Sequence, residues 1–155
     1  FSAYDFARGV VAARSGNLSV AEAQARRLQA RSDAARANAA GVVASRYDSV
    51  TPLELEQGQI LATALKGAIS FAQGERDDGL DRVRKAIARA DSMAFEYGPP
   101  YSVKPLDELL GDLLLAAGKP AAAAAAYRKT LAVHPNRRLA VAGLNAAHGA
   151  ESPGG

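Results

Sequence analysis

A chain of 155 residues with 48% hydrophobic side chains is long enough to form one domain with a real core. Its 19 basic and 16 acidic side chains leave a formal charge of +3, too even a balance to demand a nucleic-acid partner. With no cysteine there can be no disulfide or thiolate metal site, and no apolar run reaches the roughly 18 residues of a membrane span.

The apolar content is largely alanine, the best helix former, while the few Val and Ile are scattered rather than alternating, so helices are expected throughout. Phe6, Val10 and Ala13, three to four residues apart, place a first helix over about residues 2–14, which Gly16 stops. Ser19-Val20-Ala21-Glu22 reads as a capping box opening a long second helix, to about Arg46, with Gly41 as a bend or an early end. Thr51-Pro52-Leu53-Glu54 is a second capping box, with proline where its missing N–H costs nothing. The third helix then runs to Ala72. Gly74 turns the chain into a fourth, from about Arg76 to Phe95, which Gly98-Pro99-Pro100 must break. An extended loop leads to a fifth helix over about 105–117, and Gly118-Lys119-Pro120 turns into a sixth ending at Pro135. Asn136 is expected to cap a seventh, to about His148, and the tail from Glu151 to Gly155 to be disordered.

Three glycine pairs recur along this series: Gly9 and Gly16, Gly67 and Gly74, Gly111 and Gly118, each seven residues apart. The first of each pair lies inside a helix, where glycine costs up to about 1 kcal/mol against alanine, so close approach of a partner helix is the expected reason. Ala21, Gly79 and Ala123 follow the turn glycines by five residues and are expected to face Gly9, Gly67 and Gly111.

This pattern resembles the tetratricopeptide (TPR) family, whose 34-residue helix pairs stack into a right-handed superhelix. The likeness is clearest over 104–137, where Leu110-Gly111, Leu114, Gly118, Ala123, Tyr127 and Pro135 match the family's pattern and Thr130 replaces a usual alanine. Units over 60–91, without the closing proline, and over 2–33, with Ala25 in place of an aromatic, are weaker, and a helix over 137–148 would cap the array. The last third is also similar to the C-terminal part of long bacterial TPR proteins of unassigned function. The implied fold is all-α, about seven helices in antiparallel pairs, forming one domain over 1–150.

In such an array the first helix of each pair lines a concave groove. The resemblance therefore puts Phe6, Val10, Leu61, Ala64, Ala68 and Phe71 on an apolar groove wall, with Glu108 and Asp112, one helical turn apart, as an acidic end suited to a basic partner segment. The Lys, Asn and Arg with which some TPR modules hold chaperone tails are missing at these places. Tyr97 and Tyr101, flanking the Gly-Pro-Pro loop, are candidates for a recognition edge.

No catalytic set is legible: His134 and His148 each fall in the last turn of a helix, where the dipole favours a cation, and no P-loop, HExxH or dinucleotide motif occurs. No cofactor or metal site is expected. Arginines gather on the second helices, at 26, 27 and 31, at 82, 84 and 89, and at 128, on what should be the convex side. Without interleaved aromatics they make a poor nucleic-acid surface.

The expected function is that of a non-catalytic scaffold binding a peptide, a protein segment or another part of its own chain. The alternative is an accessory domain of a larger enzyme whose chemistry lies upstream. The chain opens at Phe1 inside a helical pattern, with no signal-peptide pattern, as a processed product or a piece of a longer protein would.

Overall fold

The computed structural model describes residues 2–40, 51–93 and 104–151. Every regular element among them is an α-helix: α1 (Ser2–Arg14), α2 (Leu18–Ala40), α3 (Pro52–Ala72), α4 (Arg76–Asp91), α5 (Leu106–Ala116), α6 (Pro120–Val133) and α7 (Arg138–Glu151). The turns α1–α2, α3–α4 and α5–α6 are three residues each, so the chain must fold back and pack each helix on the next. Their glycines, 16, 74 and 118, have φ of 78°, 97° and 71°, the left-handed conformation that closes a helix C-terminus.

Several boundaries differ from the sequence reading. α2 is capped by Asn17 rather than Ser19: the Asn17 Oδ1 accepts from the Val20 N–H at 3.4 Å and from the Ser19 hydroxyl at 3.1 Å. The earlier residue wins because the bonds closing α1 already fix Asn17, whose N–H donates to the Ala12 carbonyl. α4 ends at Asp91, capped by Ser92, four residues short of Phe95. α6 stops at Val133, and α7 opens on Arg137, not Asn136: the Val141 N–H donates to the Arg137 carbonyl, the first bond of the helix. α7 also runs past His148 to Glu151, so that residue belongs to the helix and not to a tail. The expected end of α2 at Gly41 or Arg46 and the Gly98-Pro99-Pro100 loop lie outside the described residues. At Thr51 the capping box is complete: its Oγ1 accepts from the Glu54 N–H, and the Glu54 carboxylate accepts from the Thr51 N–H.

The helices form two layers. Among the described residues, α1, α3, α5 and α7 touch in series, while α2, α4 and α6 each pack only on the helices before and after them in the chain. The core runs through both layers, from Phe6, Val10 and Leu28 through Leu65, Leu80 and Val83 to Leu109, Leu114 and Tyr127, with buried alanines between. Alanine adds little volume, so the axes come close and larger side chains interlock around it.

Gly9, Gly67 and Gly111, the helix-interior members of the three pairs, are all buried, each for its own reason. Gly67 and Gly79 meet backbone to backbone, as expected. Gly9 faces Leu65 of α3 and the Cβ of Gln24, and Gly111 faces the Tyr127 ring, so their closest neighbours are not Ala21 and Ala123. Those two alanines are nonetheless fully buried.

Candidate functional site

The most structured polar region lies where α5, α6, α7 and the end of α1 converge. Lys104, Glu108 and Asp112 are spaced by four residues, which puts all three side chains on one face of α5 and the segment leading into it. Glu108 is 0% exposed. Burial alone would raise its pKa, but hydrogen bonds from Arg137 and Lys104 outweigh that and hold the carboxyl below its ordinary value. Lys104 Nζ donates to Oε1 at 2.7 Å, while the Arg137 guanidinium grips both carboxylate oxygens, Nε on Oε2 and Nη2 on Oε1.

One turn on, Asp112 takes three partners. Its Oδ2 accepts from Lys104 Nζ at 2.6 Å and from Arg14 Nη1 at 2.7 Å, and its Oδ1 accepts from the Tyr127 hydroxyl at 2.7 Å. The Tyr127 ring fits between Gly111 of α5 and Gly143 of α7, both of which would clash with it if they carried a Cβ. Burial, reinforced by the bond to Asp112, pushes the phenol pKa well above its usual range, so Tyr127 is a neutral donor here.

A pocket of about 470 Å³ opens above this network. Its polar floor is Arg14, Lys104, Asp112 and Tyr127. The walls are apolar: Leu115 and Ala116 from α5, and Leu139, Ala142, Gly143 and Ala146 from α7. The four α7 residues are spaced three and four apart, one stripe of that helix, and Leu139 is 62% exposed. The pocket thus pairs a fixed charged floor with a wettable aliphatic wall, an arrangement suited to holding a group in place.

Of the expected groove residues only Asp112 reaches this pocket. Phe6, Val10, Ala64 and Ala68 are buried in the core and offer no surface to a partner. Leu61 is half-buried against the same core. Phe71 packs over Gly79, with the Arg76 guanidinium 5.8 Å above its ring. Glu108 and Asp112 do not form an open acidic end, because each carboxylate is held by two cations of the chain itself. Asp107, beside Glu108 in the chain, is drawn toward Lys129 at 3.9 Å, and burial raises its pKa. Tyr97 and Tyr101 lie outside the described residues.

The arginines of the second helices are exposed, as expected, but several are tied to acids. Arg31 pairs with the buried Asp5 at 2.9 Å, Arg82 with Asp78 at 2.6 Å, Arg84 with Asp81 at 2.9 Å, and Arg89 with Glu56. His148 meets Arg128 Nη2 at 2.9 Å, and His134 forms the C-cap of α6. No group of three or more His, Cys, Asp or Glu side chains that could hold a metal ion occurs among the described residues, and none of their helices is long and apolar enough to cross a membrane.

Sequence reasoning missed Arg14, Lys104, Tyr127 and Arg137 as site residues. The Lys104–Glu108–Asp112 spacing was there to be read, since opposite charges four apart favour one another on a helix. Arg14 lies 98 residues from Asp112 and carries no local signal. No family model, curated protein or solved structure matches this chain.

Proposed function

We propose that the chain is a TPR-like array of helix pairs, wound as a right-handed superhelix, that serves as a scaffold and holds a segment of another protein without transforming it. The supporting observation is the two-layer packing. α3 rests on both α1 and α2, α5 on both α3 and α4, and α7 on both α5 and α6, the arrangement that stacking one helix pair on the next produces. Stacked pairs expose one continuous face built by the first helix of each, and the pocket between α1, α5 and α7 lies among those helices. A preformed concavity with a few fixed polar groups binds at low ordering cost, because its side chains are already held by the fold.

Selection from a displayed random-peptide library tests this reading. Sequences sharing a pattern should be enriched, bind with about micromolar affinity and lose that binding in an Ala142→Trp variant, whose indole fills the pocket from an exposed position. Failure to enrich any sequence, or binding indifferent to Ala142→Trp, would overturn it.

A further inference from the structure

We infer that the pocket recognises an acidic side chain flanked by an aliphatic one, the acid on Arg14 and the aliphatic group on the α7 wall. The inference rests on the peptide-binding reading above and reverses the sign of the partner that the sequence suggests.

The acids near the pocket are already engaged. Glu108 is sealed off from solvent, and both oxygens of Asp112 accept hydrogen bonds, three in all. A basic partner would have to break those bonds to find a free carboxylate. Arg14 is in the opposite condition. Its side chain is 56% exposed at the pocket, and its single bond, from Nη1 to Asp112, leaves most of the five guanidinium donors open. That bond also orients the guanidinium plane, so a second carboxylate meets a preset fork instead of a freely rotating side chain. Beside it stand Leu115, Leu139, Ala142 and Ala146, with no charge among them, and Leu139 is largely open to solvent. An aliphatic side chain next to the acid would cover that wall and exclude water from the ion pair, strengthening it.

Four fluorescent peptides of equal length, titrated by fluorescence anisotropy, test this. Three have blocked ends and carry glutamate, glutamine or lysine between two leucines; the fourth carries glutamine and a free C-terminal carboxylate. The blocked glutamate peptide should bind about tenfold more tightly than the blocked glutamine peptide, with the lysine peptide weakest. Arg14→Gln should remove the glutamate advantage and Arg14→Lys retain part of it, and in the unaltered protein the advantage should shrink as salt rises. Equal binding of glutamate and glutamine, preference for lysine, or tightest binding by the free-ended peptide would overturn the inference. If these outcomes appear while library-selected peptides still bind, only the acidic preference falls; if no peptide binds, the binding reading falls with it.

Discussion

Gly67 and Gly79 bring the backbones of α3 and α4 into contact: a Cβ on either residue would lie 2.7 Å from the carbonyl oxygen of the other. A flexible side chain could swing out of the way of such an atom. A carbonyl inside a helix cannot, because it is fixed by its own hydrogen bond.

Gly67→Ala should therefore lower stability by about 2–3 kcal/mol, overpacking outweighing the gain of up to about 1 kcal/mol in helix propensity. Gly79→Ala should behave alike, and the double variant should cost less than the sum, since the first separation of the helices relieves the second clash. Urea denaturation followed by circular dichroism measures all three. A neutral Gly67→Ala would mean that the helices are further apart than described.

Glu108→Gln should cost about 3 kcal/mol, because it leaves Lys104 and Arg137 short of a buried counter-charge. The carboxyl pKa is lower in the fold than its ordinary 4.5, so its stabilisation is present above that pH and is lost as pH falls through the lowered folded value. Thermal melts of the unaltered protein should drop below about pH 4.5 more steeply than those of Glu108→Gln.

Tyr127→Phe keeps the ring between Gly111 and Gly143 and removes only the bond to Asp112, for a loss of about 1–2 kcal/mol. In the unaltered protein the raised phenol pKa makes a contribution that is present below pH 10.0 and is lost as pH rises above it. Phenolate absorbance on raising the pH should show a component that rises in step with unfolding and that Tyr127→Phe removes. Ionisation of Tyr127 while the fold persists near pH 10.0 would contradict its burial.

Thr51→Ala should cost about 1 kcal/mol, since Thr51 is exposed and its contribution is to cap α3. Thr51→Ser, which retains a hydroxyl, should recover most of the loss. Chemical denaturation midpoints at constant m-value would separate the two.

The helices were legible because their punctuation is local. Gly16, Gly74 and Gly118 end helices by their own conformational preference, and the box at Thr51 is completed by the residue three positions on. Errors at Ser19 and Asn136 arose where neighbouring residues compete for one cap, which only the closure of the preceding helix decides. The site was less legible. Phe6, Val10, Ala64 and Ala68 have the right periodicity for an apolar face, but periodicity says that a face is buried, not whether a ligand or another helix buries it. Glu108 and Asp112 were found, yet their meaning changed because Arg14 and Arg137 arrive from distant parts of the chain to neutralise them.

Most tertiary contacts join helices that are neighbours in sequence, so early folding needs little chain closure and can begin from several places. The bond from Arg14 to Asp112 is of another kind, for it ties the first helix pair to the third across 98 residues. Chains of stacked pairs tend to fray from one end while the rest stays intact. A clasp between first and third pairs couples their fates, so amide exchange in α1 should slow when α5 is stabilised, and an Arg14→Gln protein should melt over a broader temperature range than the unaltered one.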